Sequence, residues 1–396
     1  MRQFHRFPNR PASRPSGRSY GRQSGHRIRN FDPSILVKNS PHVPASAPET
    51  YLSKNRFADF GFPQQLVANI LQRNYSVPTP IQDQVIPLLL EGKDVIGLAN
   101  TGTGKTAAFL LPFIRKVVQD RSQKVLIMAP TRELAVQIDE EFRSFARGLN
   151  IRSALCIGGV SIHGQMRTLQ SNPNFVIGTP GRLKDLADRR SISFSAFATV
   201  VLDEVDRMLD MGFIHSMTHI LLALPKPRQL AFFSATTTPA VQRIMNTFLN
   251  SPITISIKTQ AVISNISQDI IKMNGKTKID VLHDLLIKPG FDKVLVFGRT
   301  KWGLEKLADE LLKRGFAVAA IHGNKSQGHR QRALMEFKTN RVKILLASDV
   351  ASRGLDIDNV THVINFDLPE SYEDYIHRIG RTGRADKTGI ALTLVP

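Results

Sequence analysis

From Phe57 onward the chain alternates short apolar runs with stretches of helical period. The runs Asp94–Ala99, Lys124–Ala129, Arg152–Ile157, Asn174–Gly178, Thr199–Leu202, Gln229–Phe233 and Ile253–Ile257 are largely uninterrupted in their apolar character, as strands covered on both faces are. Between them lie amphipathic stretches such as Glu133–Ala146, where Leu134, Ile138, Phe142 and Phe145 share one helical face. Strand and helix in alternation predict a parallel sheet with helices on both sides. The rhythm relaxes around Lys258–Gln268, which predicts a linker. A second series then follows: Lys293–Phe297, Ala317–Ile321, Val342–Ala347, His362–Asn365 and Ile390–Leu394. The expected organisation is two tandem α/β domains, residues 57–258 and 269–396, joined by a linker at 259–268.

The segment before Phe57 has a different texture. Residues 1–30 carry eight arginines and no acid, and Arg2, Arg6, Arg10, Arg14, Arg18 and Arg22 recur every fourth position. On a helix these would stack and repel, and the interspersed Pro8, Pro11, Pro15, Gly17, Gly21 and Gly25 oppose a helix in any case. Residues 1–56 are expected to be a disordered, Arg-rich tail and linker, with the arm following phosphates or simply solvated; an organelle-targeting signal is the weakest reading, because the arm is poorly amphipathic.

Composition narrows the classes. The 396 residues carry a formal net charge of +20, which points to a polyanionic partner, nucleic acid before anionic membrane. The lone Cys156 excludes an intrachain disulfide and a cysteine zinc site, and a reducing, cytoplasmic location is expected. No run approaches the ~18 apolar residues of a membrane span, so no membrane role is expected.

Two motifs carry chemistry. Ala99-Asn100-Thr101-Gly102-Thr103-Gly104-Lys105-Thr106 follows the first apolar run and reads as a phosphate-binding loop, with Ala where Gly is common at the first position. In such a loop Gly102 and Gly104 let backbone N–H groups converge on phosphate oxygens, Lys105 reaches the β- and γ-phosphates, and the Thr106 hydroxyl suits Mg²⁺. Thr199–Leu202 ends in Asp203-Glu204-Val205-Asp206. Asp203, at a strand's carboxyl end, suits the metal, and Glu204 suits polarising an attacking water.

With these in place the chain, from Phe57 almost to Pro396, resembles the DEAD-box RNA helicases of superfamily 2, with Val205 where that family has Ala. Phe57 and Tyr75-Ser76-Val77-Pro78-Thr79-Pro80-Ile81-Gln82 resemble the adenine-sensing Q motif, with Asn74 in place of Gly. Pro130-Thr131-Arg132-Glu133-Leu134, Gly158-Gly159 and Thr179-Pro180-Gly181-Arg182 resemble the RNA-backbone motifs of the first domain, and Ser234-Ala235-Thr236 the motif coupling ATP state to strand separation. In the second domain Val296–Thr300, Gln327-Gly328-His329-Arg330, Ser348–Asp356 (Ser348 for Thr) and His377–Arg384 resemble the remaining motifs in order. The stretch His322–Gln327 resembles the bacterial RhlE-type branch. Related cores continue through another helix beyond the last motif, whereas this sequence ends soon after it.

The resemblance implies two RecA-like domains and an RNA-dependent ATPase. ATP would be held by Phe57, Gln82, Thr101, Gly102, Thr103, Gly104, Lys105, Thr106 and Asp356, and Mg²⁺ by Thr106 and Asp203. Lys105, Glu204, Arg381 and Arg384 would be catalytic, the two arginines as fingers reaching from the second domain. Asp206, Ser234, Thr236 and His377 would couple the domains, His377 by bridging to Asp206 or Gln82. Thr131, Arg132, Gly159, Thr179, Arg182, Thr300, Arg330 and Ser348 would contact RNA. From the residues alone, the Gln82 amide can pair two edge positions of adenine, and both Phe57 and Thr131 have ordinary structural roles open to them, core packing and helix capping. The expected partners are RNA, without sequence preference, and ribonucleoproteins, with the chain a monomer. Two rivals stand beside this reading: a DNA translocase of the same superfamily, and an ATP-independent RNA annealer driven by the basic arm.

Overall fold

A computed structural model describes residues 51–100, 102–257, 265–349, 357, 359–383 and 388–396. The first lobe is built on β1 (Val95–Leu98), β2 (Val125–Met128), β3 (Ser153–Cys156), β4 (Phe175–Gly178), β5 (Thr199–Leu202), β6 (Gln229–Ser234) and β7 (Ile253–Ser256), all parallel, in the order β3-β4-β2-β5-β6-β1-β7. The second is built on β8 (Ile266–Lys272), β9 (Val294–Phe297), β10 (Val318–Ile321), β11 (Ile344–Ala347), β12 (His362–Asn365) and β13 (Gly389–Val395), again all parallel, in the order β10-β11-β9-β12-β13-β8.

Period-two alternation within the short strands fills a core on each face of each sheet. In the first lobe Val95, Val125, Ile127, Val201, Ala231 and Phe233 point to one side, and Ile96, Leu126, Met128, Val200, Leu202 and Phe232 to the other. In the second, Val294, Val296, Ile344, Leu346 and Ile364 oppose Leu295, Phe297, Leu345, Ala347 and Val363. Helices cover both faces, and several begin on a hydroxyl cap: Thr131 accepts from Leu134 N–H at 3.2 Å, and Thr300 from Gly303 N–H at 3.0 Å.

Two expected boundaries move. The linker placed at 259–268 is partly strand: β8 begins at Ile266 and pairs in parallel with β13, Ile266 opposite Gly389 and Lys272 opposite Val395. Residues 51–56, grouped with the tail by composition, are tied to the first lobe through Asp83. That carboxylate accepts from Tyr51 Oη at 2.6 Å, Lys54 N–H at 2.8 Å and the Asn55 side chain at 2.7 Å. Burial pushes the Asp83 carboxyl up, but these donors outweigh it and leave it below its ordinary value. The rest of the tail, residues 1–50, and of the linker, residues 259–264, lies outside the described residues.

In-register pairing aligns the carboxyl ends of the first lobe's strands: Met128 lies opposite both Leu202 and Gly178, Gly178 opposite Cys156, and Leu98 opposite Ser234. The motif-bearing loops that follow these strands therefore leave the same edge of the sheet. The strand order divides that edge. β1, β6 and β5 carry the phosphate loop, the Ser-Ala-Thr segment and the acidic tetrad, whereas β2, β4 and β3 carry the segments at Thr131, Thr179 and Gly158.

Candidate functional site

The phosphate loop closes on helix Lys105–Gln119, and Gly104 before it takes φ +91°. A Cβ there would lie 2.4 Å from Gln82 Nε2 and 2.9 Å from Thr79 Oγ1, so only glycine admits both the turn and this close approach. Gln82 is buried against the loop: it donates to the Gly104 carbonyl at 3.1 Å and accepts from Thr79 N–H at 3.0 Å, while Thr79 Oγ1 donates to the Thr103 carbonyl at 2.8 Å. The buried Lys105 ammonium donates to the Ala99 carbonyl at 2.9 Å, back across the loop it closes. Phe57 is 3% exposed and packs in the core, edge-on to Phe60.

At the end of β5, Asp203 and Glu204 are both buried, and Glu204 has left-handed backbone at φ 54°, costing about 1–2 kcal/mol for a residue of this kind. That strain aims its side chain away from the course the strand would have given it. Burial raises the Asp203 carboxyl pKa, Lys105 opposes the rise, and Glu204 adds to it. A buried carboxylate within the electrostatic reach of Lys105, with the half-buried Thr106 one residue further on, suits Mg²⁺, which is held by one or two carboxylates completed by substrate phosphates. Among the described residues no group of three or more His, Cys, Asp or Glu forms an all-protein metal cage. Asp206 ties the tetrad to β6: its carboxylate accepts from the N–H groups of Ala235 (3.1 Å) and Thr236 (2.9 Å) and from Thr236 Oγ1 (3.0 Å), and Ser234 Oγ donates to the Thr236 carbonyl at 2.8 Å.

The second lobe completes this half of the site. A cavity of about 30 Å³, room for one water, is lined by Asn100, Glu204 and Asp206 from the first lobe and His377 and Arg381 from the second. Arg381 is 4% exposed and donates to the His377 carbonyl at 3.3 Å. His377 Nδ1 is buried without a partner, and burial, then Arg207 and Arg381, hold its imidazole down to about 3, so the ring is neutral. His377 and Asp206 line this cavity together, and Gln82 is bonded to the phosphate loop.

On the other half of the edge a groove of about 420 Å³ gathers Thr131, Arg132, Thr179 and Arg182 with Gly323 and Arg330 of the second lobe. The Arg132 guanidinium lies over Gly158-Gly159, where a Cβ on Gly159 (φ +78°) would fall 2.1 Å from Arg132 Nη1. Arg330 is not simply presented to the groove. Its Nη2 lies 2.8 Å from Glu133 Oε2, and Gln327 Nε2 donates to Glu133 Oε1 at 3.0 Å, so one buried carboxylate of the first lobe holds two side chains of the second. Thr300 caps helix Lys301–Lys313 in an exposed position, and Ser348 follows β11 half-buried; neither lines this groove. Thr101, Asp356 and Arg384 lie outside the described residues.

Glu133, Gln327 and Arg378 take roles that their motifs do not announce. Arg378 is 2% exposed and spans the lobe's strand ends, bidentate on Asp349 (2.5 and 2.7 Å) and bonded to Asn365 Oδ1 and the Asp367 carbonyl. The signal for Glu133 was a single acid amid RNA-facing cations; Arg378 offered none, because its partners are distant in sequence.

Known proteins give the same arrangement. Residues 79–244 match the DEAD/DEAH box helicase family, and residues 277–386 the helicase conserved C-terminal domain. The chain is 45% identical over 342 residues to the ATP-dependent RNA helicase CshA of Listeria monocytogenes, covering 86% of this chain and 66% of that protein. It is 44% identical over 341 residues to the DEAD-box ATP-dependent RNA helicase CshA of Geobacillus kaustophilus, covering 86% and 73%. The chain thus spans about two thirds of the length of the first of these relatives. Among solved structures, Saccharomyces cerevisiae Dbp5 bound to RNA and ADP BeF3 superposes with a TM-score of 0.77 at 32% identity, covering 86% of this chain and 89% of that one. These relatives carry the name CshA, so the RhlE-type branch expected from residues 322–327 is not supported.

Proposed function

The chain belongs to the DEAD-box family of ATP-dependent RNA helicases, and from that premise we propose that RNA-stimulated ATP hydrolysis closes its lobes and locally separates short RNA duplexes or remodels RNA–protein complexes. The observation that carries the reading is the cross-lobe cavity, where Glu204 and Arg381 face one water-sized space beside the phosphate loop.

On ATP binding, Lys105 exchanges the Ala99 carbonyl for β- and γ-phosphate oxygens. Gln82 keeps one amide N–H on the loop, which leaves its second N–H and a carbonyl lone pair for the adenine edge. Thr106 and Asp203 would hold Mg²⁺, which would supply charge neutralisation at the phosphates. Glu204 orients the water and accepts its proton; Arg381, with Arg384 by resemblance, stabilises the charge that develops as the γ-phosphoryl leaves. Because the arginines belong to the other lobe, hydrolysis waits on closure. Asp206 relays it: the carboxylate beside the cavity also holds the Ser234–Thr236 segment. In the groove Thr131, Arg132, Thr179 and Arg182, with Arg330 from the second lobe, grip phosphates and 2′-hydroxyls rather than bases, and Gly159, Thr300 and Ser348 add contacts to the same strand from outside it.

The test is ATP turnover with and without single-stranded RNA, duplex RNA and DNA, alongside strand separation of a short duplex. Stimulation by RNA above DNA and ATP-dependent separation are expected. Equal stimulation by DNA would favour a DNA translocase, and strand exchange unchanged by Glu204→Gln would favour an annealer.

A further inference from the structure

We propose that Trp302 is a stacking platform for an unpaired RNA base, placed beside the phosphate-gripping groove on the second lobe. The proposal deepens the helicase reading and rests on it. Trp302 is the chain's single tryptophan and is 77% exposed. Helix Lys301–Lys313 buries Leu304, Leu307, Ala308 and Leu311, so the core takes the opposite stripe and makes no use of the indole. The largest apolar side chain in the sequence thus faces water two residues after Thr300, a candidate RNA contact.

Its surroundings define the occupant. Lys306 Nζ stands 6.0 Å from the indole centroid, and Arg299 and Lys301, both exposed, precede it. The nearby acid Glu305 is already occupied, with His322 Nε2 at 2.7 Å and Lys325 Nζ at 2.6 Å. A ring with Lys306 beside it, exposed Arg299 and Lys301 in the same stretch and the carboxylate of Glu305 paired suits a ligand that is anionic and aromatic at once. A nucleic-acid strand is that ligand: its phosphates meet the lysines and arginine while a base meets the indole.

Continuity with the groove selects RNA held there over a separate partner. Glu305 grips both sides of Gly323, and Gly323 lines the groove with Arg132, Arg182 and Arg330. A Cβ on Gly323 would lie 3.3 Å from Lys301 Cε, so the first turn of Trp302's helix packs onto the groove's rim.

The chemistry adds something the groove lacks. Phosphate contacts cannot tell a paired strand from an unpaired one by its bases. An external indole can, because a base inside a duplex has both faces stacked on its neighbours, whereas an unpaired base can turn one outward. Every base has such a face, so the platform favours single strands without reading sequence.

Being the sole tryptophan, Trp302 reports on itself. Indole emission of the full-length chain, excited where tyrosine is silent, is followed during titration with a short single-stranded RNA, with the same strand made abasic, and with a blunt RNA duplex. Quenching by the single strand is expected, with little by the abasic strand of equal charge. Trp302→Ala should weaken single-strand binding by about 5- to 150-fold, and Trp302→Phe should retain most of it. A single strand that saturates without quenching, equal quenching by the abasic strand, or Trp302→Ala binding within twofold would each overturn the platform. RNA-stimulated ATP turnover of the unsubstituted chain, measured in parallel, separates the two readings. Stimulation alongside an inert Trp302 removes the platform alone, whereas a chain that neither binds RNA nor responds to it removes both.

Discussion

Glu133→Gln isolates the energy with which one lobe holds the other. The Glu133 side chain is 4% exposed and that of Arg330 11%, their charged atoms are 2.8 Å apart, and Gln327 supplies a second bond to the same carboxylate at 3.0 Å. Breaking a buried ion pair from one side costs 3–5 kcal/mol when the partner stays buried. That ceiling does not apply here, because Arg330 regains water when the lobes part. The loss is closer to that of a hydrogen bond to a charged group, about 1.5–3 kcal/mol, and it falls on closure rather than on folding. At 1.36 kcal/mol per decade this lowers the closure constant about 10- to 150-fold. RNA-stimulated kcat/KM should fall by a comparable factor, while ATP affinity without RNA and the thermal midpoint stay near those of the unsubstituted chain. Arg330 also lines the RNA groove, so a double-mutant cycle with Arg330→Met separates its two roles. A coupling energy below about 0.5 kcal/mol, or an ATP affinity lowered in the absence of RNA, would refute the clamp.

Three further outcomes follow from the cavity between the lobes. Glu204→Gln should lower turnover about 10²- to 10⁴-fold while retaining ATP, and Lys105→Ala should lose nucleotide binding as well; near-normal turnover in the first would remove Glu204 as the base. Arg381→Ala should cost about 10³- to 10⁵-fold in RNA-stimulated hydrolysis with ATP binding intact, and a loss of only about twofold would return Arg381 to a packing role. His377 is held down to about 3 from 6.5 in the closed arrangement, so between those values the closed form carries fewer protons than an opened one. Closure is unaffected above pH 6.5 and weakens as pH falls below it; turnover should follow, and His377→Gln should flatten that acidic limb, superimposable profiles arguing against the assignment.

What the sequence disclosed divides along physical lines. Strands buried on both faces announce themselves as apolar runs, and β5 and β12 keep the ends that their composition implies. β8 did not. Its Ile-Ser-Gln-Asp-Ile-Ile-Lys sequence is half-exposed at a sheet edge, and its partner β13 is far along the chain, so no local pattern distinguishes it from a linker. The phosphate loop and acidic tetrad were legible because phosphate and metal chemistry constrain residue type at fixed spacing. The orientation of an individual side chain was not: Phe57 turns into the core, and Arg330 divides itself between groove and Glu133. Asp83, gathering residues 51–56, was hidden for the same reason, since its donors lie some thirty positions away.

The pairing of β8 with β13 also has a consequence for the chain as it is made. The first lobe possesses every strand of its sheet once Ser256 has emerged from the ribosome, before any strand of the second. In the second lobe the earliest strand synthesised sits outside the latest. Until Gly389–Val395 appears, Ile266–Lys272 has no strand to pair with, and β12 presents an open edge. A nascent chain stopped short of β13 would hold a finished nucleotide lobe beside an unfinished, adhesive one. Hydrolysis, which needs both, would therefore begin only when translation of the sheet is complete.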